Sequence, residues 1–267
     1  MNFKQLHQQE HALLIANVWD VPSAQQAQEL GFQAIGTSSA AIAATFGYED
    51  GEAMAFSILC FVVERIASHV SLPLTVDLEA GYSEEPSVIV EHIKQLAAFG
   101  VVGINLEDSS VNIEESLVNS NERTAASERF LVDAERFSLT LNAVKQMLND
   151  EQIDIFVNVR TDPFLLGTQD ALTQTLTRIA LYESAGADGI FIPCITEQTD
   201  IEACVQSTSL PINVMCMPQL TNFDALADFG VKRISMGSFV FERGLKQHKA
   251  SLTEVLSKKS FTPVFSI

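Results

Sequence analysis

The sequence predicts an α/β protein folded as a (β/α)8 TIM barrel, and three observations lead there. Short β-branched runs alternate with amphipathic helical stretches eight times in 267 residues, about 33 residues per unit, the usual size of a βα unit. Several helical stretches end in glycine just before the next strand, as in Leu30-Gly31-Phe32, Phe99-Gly100-Val101, Ala185-Gly186-Ala187 and Phe229-Gly230-Val231. The turn after the first strand, Asn17-Val18-Trp19-Asp20-Val21-Pro22, has no glycine, so an open nucleotide-binding sheet is disfavoured.

In chain order the strands fall at 13–18, 34–38, 72–77, 103–107, 153–160, 189–193, 211–216 and 233–237. Helices are expected near 22–30, 52–69, 86–99, 128–148, 170–185, 197–206, 222–229 and 239–257. No Pro/Gly/Ser-rich linker divides the chain, so residues 1–267 read as one barrel domain. The last helix and the apolar tail after it (Phe261 to Phe265) should pack on something, which makes self-association plausible.

Composition excludes several classes. Apolar residues are 47% and charged residues 19%, a globular balance. Lys and Arg number 16 against 34 Asp and Glu, giving −18, which opposes binding to nucleic acid or to an anionic membrane surface. The most apolar run, 53–63, is too short to span a bilayer. Cys60, Cys194, Cys204 and Cys216 show no C-x-x-C spacing and read as reduced thiols of a soluble cytoplasmic protein.

In a barrel the reactive groups stand at the C-terminal ends of strands and in the loops after them. After strand two come Ser38, Ser39 and Ala40, small residues whose backbone N–H groups can approach an anion, and then Asp50. Strand three ends in Asp77 and Glu79, strand four in Asn105 and Glu107, strand five in Asn158, Arg160 and Asp162; alternation puts each set on one face. The mouth then holds Asp77, Glu79 and Glu107 with one cation, Arg160. Such oxygen ligands without histidine suit Mg2+ or Mn2+.

The exclusions sharpen this. His7, His11, His69, His92 and His248 end no predicted strand, which argues against a histidine-bound zinc or a Ser-His-Asp triad. No lysine ends a strand, which argues against a Schiff-base enzyme. The polar stretch 109–127 separates strand four from its helix and reads as a lid, with Glu115 as a candidate base.

Taken together, Gly36-Thr37-Ser38-Ser39, Gly47-Tyr48-Glu49-Asp50, Val76-Asp77-Leu78-Glu79-Ala80-Gly81-Tyr82, Asn105-Leu106-Glu107-Asp108 and Asn158-Val159-Arg160-Thr161-Asp162 resemble the isocitrate lyase / phosphoenolpyruvate mutase superfamily. The likeness runs from about Leu14 to Gly244. It implies a barrel whose last helix is swapped onto a neighbour in a homodimer or homotetramer, Mg2+, and a small 2-oxo or 2-hydroxy carboxylate as partner. By position, Asp77 would stand nearest the metal, with Glu79 and Glu107 acting through its water shell and Asp50 beside them. Ser38, Ser39 and Ala40 would hold the substrate carboxylate, Arg160 would pair with the substrate, and Asn158 would add a contact. Residues 109–127 lack the cysteine of the superfamily's lyases and the lysine of its mutases, and Pro193 stands where the mutases have histidine.

The resulting expectation is a Mg2+-dependent lyase that cleaves a C–C bond of a 2-oxo or 2-hydroxy (di)carboxylate through an enolate, like an oxaloacetate decarboxylase or a methylisocitrate lyase. The alternatives are phosphonopyruvate hydrolase or phosphonomutase chemistry, and a non-catalytic Mg2+/carboxylate-binding protein.

Overall fold

The computed structural model describes residues 2–112 and 128–265. Its strands are β1 (Leu13–Val18), β2 (Ala34–Thr37), β3 (Leu74–Asp77), β4 (Val101–Glu107), β5 (Ser109–Asn112), β6 (Glu128–Leu131), β7 (Phe156–Arg160), β8 (Gly189–Ile192), β9 (Ile212–Met215) and β10 (Arg233–Ser235). Its helices are α1 (Phe3–Leu6), α2 (Val21–Glu29), α3 (Ser39–Phe46), α4 (Phe56–Ala67), α5 (Pro86–Ala98), α6 (Ala134–Asp150), α7 (Ala171–Ser184), α8 (Gln198–Gln206), α9 (Phe223–Asp228), α10 (Phe239–Lys258) and α11 (Thr262–Phe265).

Eight parallel strands close into a ring in the order β1-β10-β9-β8-β7-β4-β3-β2. This is the (β/α)8 barrel that the alternation predicts, and all eight expected strands are in it. Val76, Ile104, Val157, Ile190 and Val214 are fully buried and pack with helix residues such as Val63, Ile93, Val144 and Ile179 in one apolar cluster. Of the residues one position away on the strands, Thr75, Asp77, Asn105, Asn158 and Asn213 are polar and turn to the lumen, as the two-residue period requires.

Three departures from the sequence expectation have local causes. The helix expected from 52 begins at Phe56, because Gly51 and Glu52 take left-handed conformations, φ 101° and 65°. The helix expected from 128 begins at Ala134, capped by Asp133, whose side chain accepts from the Arg136 N–H at 2.9 Å. Residues 128–131 instead pair antiparallel with 109–112, so the expected lid is rooted in a two-stranded ribbon; its remainder, 113–127, lies outside the described residues. The third is α3, which forms where a small-residue loop was expected, capped by Ser38 Oγ accepting from the Ala41 N–H at 3.3 Å.

The N-terminal end of the barrel is plugged by α1. Phe3 and Leu6 pack with Leu13, Ile15, Ala34 and Phe156. Gly103 makes room for them: a Cβ there would stand 3.1 Å from the Phe3 ring. His7 stacks on Phe156 with ring centroids 4.5 Å apart and only 5° between planes. At the other end of the chain α10 buries none of its residues, and Leu245, Leu252 and Leu256 are exposed, although Trp19 contacts Phe241 near its start. Among the described residues no helix is long and apolar enough to cross a membrane.

Burial, reinforced by the Arg233 charge, pushes the His7 imidazole down to about 4 from an ordinary 6.5. The unfolded chain therefore takes up a proton below pH 6.5 that the folded chain refuses until about pH 4. His7 thus costs stability progressively as pH falls through that window. Thermal melts of the His7→Phe variant should show a shallower loss of Tm between pH 6.5 and 4 than the parent chain.

Candidate active site

The C-terminal ends of the strands surround a cavity of about 390 Å³. Ser38, Ser39 and Ala40 line one side, Asp50 and Asp77 the next, Arg129 and Arg160 a third, and Arg233 also lines it. The Ser38 cap turns the first residues of α3 into the cavity wall. Ser39 and Ala40 occupy the first helical turn, where backbone N–H groups have no intrahelical acceptor and the helix dipole favours an anion.

Asp77 ends β3 and faces this helix start. Its Oδ2 accepts from Ser39 Oγ at 2.9 Å, and Ser39 Oγ also stands 3.4 Å from Asp50 Oδ1. Asp77 Oδ1 is buried and has no hydrogen-bond partner among the described residues. Burial raises the Asp77 carboxyl above its ordinary range, against the pull of Arg160 and the Ser39 hydrogen bond.

Glu107 ends β4 and is flanked by two guanidiniums. Arg160 Nη1 lies 2.8 Å from Glu107 Oε2, and Arg129 Nη1 donates to Glu107 Oε1. Arg160 also grips Asp162, through Nε to Oδ1 at 2.7 Å and Nη2 to Oδ2 at 3.0 Å. Arg129 reaches Ser109 Oγ at 2.9 Å and Asp50 Oδ2 at 3.3 Å. Burial would lower both arginines, but the surrounding carboxylates outweigh it and raise them. Burial also pushes Glu107 up to about 7, which Arg160 only partly offsets.

Glu79 lies behind this wall. It has a left-handed backbone, φ 52°, so strand alternation no longer decides where its side chain goes. Its carboxylate accepts from the Glu52 N–H and from Tyr82 Oη at 3.1 Å. Burial first, then repulsion from Asp50, Asp77, Glu107 and Glu52, pushes it up to about 8.

A second buried network holds the strand ends in register. Asp108 is fully buried and accepts from Thr161 Oγ1 at 2.7 Å, the Asp162 N–H at 3.0 Å, Arg178 Nη1 at 2.8 Å and Tyr182 Oη at 2.8 Å. It ties β4 to the residues following Arg160 and to α7. Asn17 does the same across the β1/β10 seam, its Oδ1 accepting from the Met236 and Gly237 N–H groups at 2.6 and 3.1 Å.

Of the residues singled out in the sequence, Ser38, Ser39, Ala40, Asp50, Asp77 and Arg160 come together on the cavity wall. Glu79 and Glu107 stand behind it. Asn158 lies a layer deeper in the lumen, donating to Asn105 Oδ1 at 2.9 Å and Asn213 Oδ1 at 3.2 Å. Glu115 lies outside the described residues. The expectation of a single cation is corrected: Arg129 and Arg233 line the cavity with Arg160. Arg129 follows a stretch with no periodic signal, and Arg233 begins its strand instead of ending it.

Among the described residues no three His, Cys, Asp or Glu side chains are grouped to hold a metal by protein ligands alone. The site fits Mg2+ in another way. Mg2+ keeps several waters and takes one or two carboxylates, and Asp77 offers a buried, unpartnered carboxylate oxygen on the cavity wall.

The sequence matches the phosphoenolpyruvate phosphomutase family over residues 3–256. It is 32% identical over 245 residues to an uncharacterized protein of Mycobacterium tuberculosis (strain ATCC 25618 / H37Rv), covering 92% of this chain and 85% of that one. It is 27% identical over 230 residues to an oxaloacetate decarboxylase of Rhodopseudomonas palustris (strain ATCC BAA-98 / CGA009), covering 81% of this chain and 71% of that one. A crystal structure from Burkholderia cenocepacia J2315, provisionally named a phosphonomutase, superposes with a TM-score of 0.83 at 34% identity, covering 94% of this chain and 97% of that one. A phosphonopyruvate hydrolase in complex with oxalate and Mg2+ shares the fold, with a TM-score of 0.78 at 22% identity, covering 98% of this chain and 89% of that one.

Removing Asp108 would leave Arg178 buried without its counter-charge, a change that costs about 3–5 kcal/mol where one partner of a buried pair is deleted. Urea denaturation of Asp108→Ala should show a loss of that order.

Proposed function

The chain belongs to the phosphoenolpyruvate phosphomutase family, within the isocitrate lyase / phosphoenolpyruvate mutase superfamily of lyases and mutases, and from that premise we propose that it is a Mg2+-dependent carbon–carbon lyase acting on a 2-oxo or 2-hydroxy dicarboxylate. The observation that carries the reading is the Asp77 carboxylate on the cavity wall, with one buried oxygen unpartnered and the other hydrogen-bonded to Ser39 at the start of α3. The likeness to an oxaloacetate decarboxylase supports the substrate class. The oxalate and Mg2+ held by a protein of the same fold support the pairing of a cation with a planar dianion.

Asp77 would hold the cation, with Asp50 beside it and Glu79 and Glu107 acting through water. Mg2+ supplies a Lewis acid that stabilises negative charge on the substrate's 2-oxygen as the C–C bond breaks. The Ser39 and Ala40 N–H groups receive the C1 carboxylate, and their dipole needs no reorganisation as charge develops. Arg160 is fixed in place by Asp162 and Glu107, and a guanidinium has five N–H donors, so part of its fork remains for the substrate. Arg129 adds positive charge to the same wall.

The assembly is proposed as a homodimer or homotetramer in which α10 lies on a neighbouring barrel. This rests on the helix's exposure: Leu245, Leu252 and Leu256 are exposed, and none of its residues is fully buried.

Proton and phosphorus NMR of the protein with oxaloacetate, 2,3-dimethylmalate, methylisocitrate and phosphonopyruvate, with Mg2+ or with EDTA, tests the reading. Metal-dependent loss of a C–C substrate is the expected result. Turnover of phosphonopyruvate alone would replace the reading with phosphonate chemistry, and oxalate binding without any turnover would replace it with a binding protein. Asp77→Asn should lower kcat/KM on the order of 100-fold or more, because the anchor for the Lewis acid is gone. Light scattering of a Leu252→Glu/Leu256→Glu double variant should report a smaller particle than the parent chain.

A further inference from the structure

Arg233 is buried to 2% exposure, yet most of its guanidinium is unsatisfied among the described residues. Its Nε and Nη1 have no hydrogen-bond partner among the described residues. Its Nη2 has two long contacts, to Thr75 Oγ1 at 3.3 Å and Asn105 Oδ1 at 3.5 Å. Those partners sit on β3 and β4, and β4 is opposite β10 in the ring, so the side chain crosses the lumen and its guanidinium lines the cavity from beneath. A buried guanidinium without a carboxylate is costly, and arginine's planar fork suits a carboxylate. Thr75 lies two residues before Asp77 on the same face of β3, a drop of roughly 6.6 Å at the parallel-strand rise. Three C–C bonds of about 1.5 Å and one hydrogen bond of about 2.9 Å cover that drop.

We propose that Arg233 forms a second anion subsite on the cavity floor, which takes the terminal carboxylate of a four-carbon acid whose C1 and C2 oxygens occupy the mouth. The inference rests on the reading of the mouth given above and narrows its substrate to diacids. It also bears on which bond breaks. A terminal carboxylate lost as CO2 surrenders its charge, so an ion pair at the floor opposes decarboxylation. Cleavage of C2–C3 in a 2-hydroxy diacid does the reverse: the hydroxyl proton leaves O2, the C2–C3 electron pair moves to C3 and delocalises onto the terminal carboxylate, and C3 then takes up a proton. The products are a 2-oxo acid and a monoacid, with no other reactant. Arg233 stabilises the charge that grows at the floor in that route.

Calorimetry with Mg2+ and three probes tests this: oxalate, malate, and 2-hydroxybutyrate, which has a methyl group where malate has its terminal acid. The parent chain should prefer malate over 2-hydroxybutyrate on the order of 10- to 100-fold, the worth of one hydrogen-bonded charge pair. Arg233→Met should bring that ratio near unity, leave oxalate affinity unchanged and not lower the Tm of the ligand-free protein; Arg233→Lys should keep part of the preference. No preference in the parent chain while oxalate binds overturns the floor subsite and leaves the mouth reading standing. Equal loss for all three probes with a lower Tm makes Arg233 a structural strut and overturns it too. An Arg233-dependent malate preference without Mg2+-dependent oxalate binding keeps the floor subsite and overturns the mouth reading.

Discussion

The mouth of this barrel depends on balancing buried carboxylates. Asp77 and Glu107 stand at the ends of β3 and β4, with Asp162 just beyond the end of β7, and burial works against the ionised form of Asp77 and Glu107. Arg160 answers Glu107 and Asp162 together, and Arg129 comes in from β6 to answer Glu107 and Asp50. That pairing explains more than local charge. Arg129 is tied to Ser109 at the root of the facing strand, so the ribbon β5–β6 is pinned to the acid cluster as well as to itself. The base of the stretch expected to be a lid is therefore held by electrostatics at the site it borders.

Deeper in the lumen the same logic runs without completion. Thr75, Asn105, Asn158, Asn213 and Arg233 occupy positions where barrels usually pack branched apolar side chains in layers. The amides satisfy one another, with Asn158 donating to Asn105 and Asn213. Arg233 is the member left short, and burial pushes its guanidinium down to about 10. Its charge is felt at His7 in the plug, and it feels in turn the charge of Asp77 at the mouth, which links the two ends of the barrel through one side chain.

The strands were legible because their signal is local: a short apolar run and a period of two suffice. Asp77, Arg160 and Ser39 were legible because each sits at or just beyond the end of a strand. What failed was nonlocal or conformational. The pairing of 109–112 with 128–131 spans an intervening stretch that carries no periodicity, so 128–133 looked helical. Arg129 finds Glu107 across 22 positions. Glu79 follows Asp77 by two residues, but a positive φ breaks the alternation that would have placed it on the wall. Arg233 was visible as a charge at the start of a strand; a rule that inspects only the C-terminal ends of strands passes over it.

The groups brought together at the mouth divide by what they can do with a proton. The arginines stay charged under all working conditions, so Arg129 and Arg160 can steady developing charge but cannot exchange protons. The carboxylates near neutrality are Glu107, at about 7, and Glu79, at about 8; both owe those values first to burial, with Asp162 and Asp77 adding repulsion at Glu107, and Asp50, Asp77 and Glu107 adding it at Glu79. A divalent cation at Asp77 changes that balance, because its charge favours the ionised form of every carboxylate around it. Cation binding and proton retention at Glu79 and Glu107 therefore compete. On the proposed reading the ion would bind with release of protons, and the acid cluster could serve as a proton reservoir or as a cation's outer shell, but not as both at once.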